Sequence, residues 1–404
     1  MHDEVKGMCI IEEMRKASNS VEYQGYYYRL SSIIEILILG LLCRMTTLKD
    51  IHFWSDSKAV RLMLKENFGI RMIPCYSHFT VLVGMIDSEE LNRIFMGFFG
   101  KLVETLTGKT IAIDGKTVCA TANMTSYESP LHIASAFVVE NGITIGQLAT
   151  EDKSNEIPIV RDLIRLLDVN GATIVADALN CQEETAKVIL EGGADYVLSA
   201  KKNQPNLYED IAEMIHFKQC DPFELKNSPL EMARQTEKGH GRIETRTALI
   251  THETDWLKER CKFPGIRTIG AIITDSETRY YISSRVLAAH ELLVITRREW
   301  AIESMHWQLD VIFGEDVTTL HEKNTQVVLN ILRKAVLNVL RMYRDRYEPA
   351  RNMVDITRKC LHDTDILLEV LRKFAIWYFL PEIKSPCPVN FISCGLRVDV
   401  VSLT

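Results

Sequence analysis

The chain changes its hydrophobic period near residue 108. Before Thr107 the apolar positions recur every three or four residues, as in SSIIEILILGLLCRM, TTLKDIHFWS, SKAVRLMLKENFG and SHFTVLVGMIDSEELNRIFMGFFGKLVETL. That spacing builds amphipathic helices, and Gly69, Pro74 and polar caps punctuate them. Ser32 and Glu35 have the Ser-x-x-Glu spacing of a capping box, which predicts the first helix start there. The run from Ile33 to Met45 is interrupted by Glu35 and Arg44 and is too short for a bilayer span, so it reads as a buried helix.

After Gly108 the pattern alternates. KTIAIDGKTV, LHIASAFVV and ITIGQLA read as strands, and Asn141-Gly142 between the last two is a hairpin signal. A helix with Pro158 near its first turn follows, then the strand ATIVADAL, the helix QEETAKVILEGG and the strand DYVLSAK. From residue 203 to about 285 the pattern loosens into a helix, a polar stretch with KGHGRIETR, and the strand-like runs TRTALITH, RTIGAIITD and YYISS, which predicts an insertion with its own sheet. Two long helices close the periodic part, roughly His290 to Phe313 and Thr325 to Tyr347. The second carries Arg333, Lys334, Arg341, Arg344 and Arg346, and its clustered charge makes it a candidate for duplex contact.

Length and composition narrow the class. The 404 residues suggest two or three folding units, with the 47% hydrophobic and 25% charged content of an ordinary globular protein. Ten cysteines without a C-x-x-C pair disfavour a zinc ribbon or redox motif and point to reduced thiols in a cytosol. The acidic first residues lack the pattern of a secretory signal, and nothing calls for a membrane. A net charge of −7 confines any nucleic-acid contact to a local basic patch.

Three acids stand out. Asp114 follows the strand IAI and precedes Gly115, and Asp177 ends IVAD, so both are expected at strand ends, where α/β layers bind ligands. Glu303 lies on the helix REWAIESMHWQLD after the insertion. Acids on the first strand, the fourth strand and a late helix have the layout of the RNase H-like nuclease fold, able to seat a pair of hard cations for phosphoryl transfer. His306 and Asp310 share the helix face of Glu303. His306 is expected as a satisfied structural histidine, or else beside the metal ligands or on DNA. Trp300 and Trp307 are expected as core anchors. Lys116, Lys201, Lys202, Arg242, Arg246, Arg297 and Arg298 are candidate phosphate contacts.

Taken in order, IAIDGKT, EDKSNEI, ADALNCQEETA, GGADYVLSAKKNQPNLYEDI, HGRIETR, YYISS and WAIESMHWQLDVIFGED resemble the H-repeat-associated family of bacterial insertion-sequence transposases, from about Tyr26 to Leu371. The resemblance implies a DDE transposase using Mg²⁺, or Mn²⁺ as a substitute, to cut and join double-stranded DNA at element ends and target, as a homodimer on DNA in the bacterial cytoplasm and nucleoid. It assigns Asp114, Asp177 and Glu303 as metal-binding and catalytic residues.

The expected fold class is α/β. A helical DNA-binding domain at 1–108 precedes an RNase H-like core at 109–202 and 286–347, interrupted by an α+β insertion at 203–285 and followed by a C-terminal segment at 348–404. The pattern departs from related elements at Thr296, Glu299 and Asp310, where Tyr, Arg and Lys are usual, and in a tail from about residue 372 that matches no usual family end. Two other readings suit the same residues: a transposase-derived DNA-binding protein without catalysis, and an RNase H-like nuclease that cuts without joining.

Overall fold

The computed structural model describes residues 28–118, 130–150, 156–239, 242–316 and 322–373. The atypical tail, from residue 374 on, lies outside the described residues. Five helices come first: α1 (Leu30–Leu42), α2 (Leu48–Ser55), α3 (Lys58–Phe68), α4 (Tyr76–Gly84) and α5 (Ser88–Leu102). Helix α1 starts earlier than its capping box predicts. Arg29 is its N-cap with no side-chain bond, and Ser32 and Glu35 sit inside the helix, most of which is buried. Apolar burial, not capping, sets that start. Where caps do act they match local sequence: Thr47 accepts from the Asp50 amide at 3.0 Å and starts α2, and Asp87 accepts from the Glu89 and Glu90 amides at the head of α5.

The alternating segment forms β1 (Thr110–Val118), β2 (Leu131–Val138), β3 (Ile143–Thr150), helix α6 (Glu156–Leu166), β4 (Thr173–Ala176), helix α7 (Glu183–Glu191) and β5 (Asp195–Ala200). This is the predicted order. Strands β1 to β3 are antiparallel neighbours, and the turn between β2 and β3 closes through Gly142 at φ 65°, which suits a residue without a Cβ. Strands β4 and β5 join β1 in parallel.

The segment expected to form its own sheet does not. Helices α8 (Pro205–Cys220) and α9 (Pro222–Asn227) lead into β6 (Glu231–Gly239), β7 (Arg242–Thr251), β8 (Thr268–Ile273) and β9 (Thr278–Ser283). Strand β9 pairs antiparallel with β5, so nine strands share one sheet in the order β3-β2-β1-β4-β5-β9-β8-β7-β6. An unpaired β5 edge would leave a row of backbone donors and acceptors, and the inserted strands cover it.

Helices α10 (Ala289–Phe313), α11 (Lys323–Tyr347), α12 (Met353–His362) and α13 (Thr364–Lys373) complete the described chain. Gln147 bonds to α11, whereas its neighbour Gly146 lies against Leu163 and Leu167, so α11 and the α6 region cover opposite faces of the sheet. Helix α11 also packs on α1, α4 and α5, which makes it the shared centre of the helical and sheet parts. That position takes three of its five basic residues out of reach of a duplex and leaves Arg344 and Arg346 at its outer end. Arg333, Lys334 and Arg341 are all buried, and Arg341 donates to Gln308 Oε1 and the Gly142 carbonyl. Among the described residues no helix is long and apolar enough to cross a membrane.

Candidate active site

Asp114 is not at a strand end. Strand β1 runs on to Val118, and Asp114 stands in its middle, paired with Ser135 of β2. What ends is the neighbouring strand: β4 pairs through Ala176 with Ile113, and the next residue, Asp177, caps a short 3-10 turn. Asp114 and Asp177 are thus the residues that follow the last pair of two neighbouring parallel strands. Asp114 Oδ1 accepts from the Gly115 amide at 2.9 Å. Asp177 Oδ1 accepts from Asn180 Nδ2 at 3.0 Å. Both carboxylates are oriented by local donors.

Helix α10 packs over β1 and β4. Glu299, Glu303, His306 and Asp310 fall within one face at helical spacing. His306 Nδ1 lies 3.6 Å from Asp114 Oδ2. Burial, aided by nearby Lys334, pushes its pKa down to about 3, so this is a neutral imidazole and not an ion pair. Its Nε2 is buried with no hydrogen-bond partner among the described residues. Glu303 is exposed, one turn before His306. Glu299, a further turn back, stood in the sequence only as a departure from the family pattern, not as a site residue. Burial and then the charges of Asp177 and Asp114 push its carboxyl up to about 7, with Arg279 and Lys201 opposing. Its four-residue spacing from Glu303 was the available signal.

The basic candidates separate. Lys201 and Arg297 are exposed, and Arg297 meets Glu237 only at 3.5 Å. Arg298 is taken by Glu140 at 2.7 Å and the Thr110 hydroxyl at 3.0 Å. Arg246 is buried and donates to the Leu293 carbonyl at 3.3 Å, which removes it as a phosphate contact. Arg242 begins β7, but its side chain lies outside the described residues. Lys116 is held by Asp310, Glu315 and Asp316. Trp300 and Trp307 are not core anchors: they are 43% and 62% exposed, and the guanidinium groups of Arg279 and Arg297 lie 5.6 and 5.9 Å from the Trp300 ring.

Residues 106–339 match the family model described as Transposase DDE domain. The chain belongs to the DDE transposase family. It is 30% identical over 332 residues to "Putative transposase YncI" of Escherichia coli O157:H7, covering 79% of this chain and 83% of that protein. It is 28% identical over 327 residues to "H repeat-associated putative transposase YhhI" of Escherichia coli strain K12, covering 78% and 85%. A solved piggyBac transposase synaptic complex with hairpin DNA aligns at TM-score 0.46 and 11% identity, covering 90% of this chain and 78% of that one.

The transposase's two aspartates suit a hard cation, being oxygen donors on adjacent strands. Among the described residues no three His, Cys, Asp or Glu side chains gather closely enough to hold an ion. Neither Glu299 nor Glu303 therefore closes a three-ligand cage with the aspartates in this arrangement.

Proposed function

We propose that this transposase cuts and joins DNA at the ends of an insertion sequence, using Asp114, Asp177 and Glu303. The observation that carries the reading is the parallel pairing of β1 and β4 through Ile113 and Ala176, the residues that immediately precede two acids 63 positions apart in the chain. The order β3-β2-β1-β4-β5, in which β2 alone runs against the other four strands, supports an RNase H-like core at 109–202 and 286–347. Residues 203–285 are its insertion, 1–108 the helical DNA-binding module and 348–404 the C-terminal segment.

Asp114 and Asp177 would hold Mg²⁺, or Mn²⁺ in its place, with Glu303 as the third acid. When bound, a pair of such ions supplies an activated water or DNA 3′-hydroxyl and stabilises the leaving oxygen. The protein's own groups prepare that chemistry. Gly115 and Asn180 fix the aspartate rotamers, and exposed Lys201, whose charge reaches Glu299, is available to attract phosphate. Neutral His306 fills the space beside Asp114 without competing for its charge. Double-stranded element ends and target are the substrates, bound by a homodimer in the cytoplasm or nucleoid.

Purified protein with element-end DNA and Mg²⁺ is expected to nick and join strands. Asp114→Asn is expected to abolish both while leaving DNA binding intact. Retained joining in that variant removes Asp114 from the mechanism, and DNA binding without any metal-dependent cleavage in the wild type selects a non-catalytic protein instead.

A further inference from the structure

Thr110, Asp114 and Lys116 alternate onto one face of β1. Each meets α10. Arg298 donates to Thr110 Oγ1 at 3.0 Å, His306 Nδ1 approaches Asp114 at 3.6 Å, and the Lys116 ammonium bonds to Asp310. From Thr110 to Lys116 the strand advances about 20 Å, and from Arg298 to Asp310 the helix advances about 18 Å. The two elements therefore run side by side in one direction, and the three contacts are rungs of a single register.

The rungs differ in strength. The middle one is a long contact to a neutral imidazole, and at the first Arg298 is shared with Glu140. The last is a charged clamp. Lys116, 15% exposed, also donates to Glu315 Oε2 at 2.8 Å and lies 3.4 Å from Asp316. Gly314, at φ 59°, ends α10 in the left-handed conformation and turns Glu315 back toward the strand. Glu315 is itself 1% exposed and accepts from Asn330 Nδ2, and Asn330 in turn accepts from Lys334. Lys334 also donates to Ser135, the cross-strand neighbour of Asp114. The clamp is thus braced by core groups on α11 and β2, and it lies two residues from Asp114 and seven from Glu303.

We propose that Lys116 is a positioning residue: clamped by Asp310, Glu315 and Asp316, it sets the register of α10, and with it Glu303, against the strand that carries Asp114. This rests on the reading of Asp114, Asp177 and Glu303 as the strand-transfer site. Lys116 acts through carboxylates of its own chain and not by gripping phosphate.

The test maps the site with Fe²⁺ in place of Mg²⁺, since ascorbate and peroxide then cut polypeptide beside the bound ion. Full-length wild type is expected to be cut near residues 114, 177 and 303. Lys116→Met is expected to keep the first two cuts and lose the third. Its joining rate at saturating DNA should fall about 10²-fold, the scale of an ångström-sized misplacement, with DNA affinity unchanged. Lys116→Arg should restore both the cut and the rate. A folded Lys116→Met with the wild-type cutting pattern and rate overturns the proposal. Should Lys116→Met fail to fold, Asp310→Asn weakens the clamp at a position 35% exposed, and it must show a weaker cut near 303, a wild-type pattern again overturning the proposal. Absence of all three cuts in wild type, with Asp114→Asn still active, removes the site reading and the clamp with it; three wild-type cuts unaltered by Lys116→Met remove the clamp alone.

Discussion

Lys334 offers a direct measurement of the core behind Asp114. It is 2% exposed, and its ammonium donates to Ser135 Oγ at 2.8 Å, Gln147 Oε1 at 2.7 Å and Asn330 Oδ1 at 2.9 Å. Three uncharged oxygens do not replace water around a cation. Burial pushes its pKa from 10.5 down to about 7, with Glu315 opposing that shift. At about 1.4 kcal/mol per pKa unit, charging Lys334 costs the folded state about 5 kcal/mol at pH values below 7.

Between pH 7 and 10 the unfolded chain holds a proton that the folded protein has released, so this group makes stability rise with pH, by up to about 1.4 kcal/mol per pH unit. Lys334→Met removes the proton and keeps the chain length. Urea unfolding of both proteins from pH 6.5 to 9.5 is the assay. Buried Cys43 and Cys181 have raised pKa values and act in the opposite direction at the alkaline end, so the difference between the two curves is read. Glu315, held low by Lys116 and Lys334, titrates below this window. The stability of wild type relative to Lys334→Met should climb through pH 7 to 9.5. Parallel curves would refute the argument that burial has displaced this titration.

Glu299→Gln tests the crowding of acids around the aspartate pair. With its carboxyl raised to about 7, wild type gains stability from Glu299 below about pH 4.5 and loses it as pH rises through 7; the loss is at most about 3 kcal/mol and nearer 1–2 for a half-buried group. Thermal unfolding in EDTA at pH 8 should therefore find the glutamine variant the more stable, and an unchanged or lower midpoint counts against the crowding. Arg341→Ala separates core from DNA surface: leaving Gln308 and the Gly142 carbonyl without their donor should cost about 2–4 kcal/mol in urea unfolding. The salt dependence of DNA binding should stay the same, and a flatter salt slope would return Arg341 to the interface.

The legible part of the fold was the part written in local periods. Strands β1 to β5, their two helices, the Asn141-Gly142 hairpin and the long helices α10 and α11 all follow from spacing and turn chemistry. The strand end at Asp177 was legible for the same reason, whereas β1 runs past Asp114 to Val118 because pairing with β2 carries it on. Charge was not legible. Arg333, Lys334 and Arg341 have the composition of a DNA-binding helix, yet α11 carries them inward, because it lies between the helical module and the sheet with apolar contacts on several sides. Trp300 and Trp307 have the composition of core anchors and face solvent.

The sequence by itself determined which segments become helices and strands, because backbone hydrogen bonding and side-chain period act over a few residues. Tertiary structure decided everything that depends on who stands opposite. It paired β4 with β1 in parallel, joined the inserted strands to the β5 edge, brought Glu299 toward the aspartates and gave Lys116 to Asp310 and Glu315. Those outcomes are contacts between residues tens to hundreds of positions apart, and burial and Coulomb energies at such contacts have no counterpart in the local pattern.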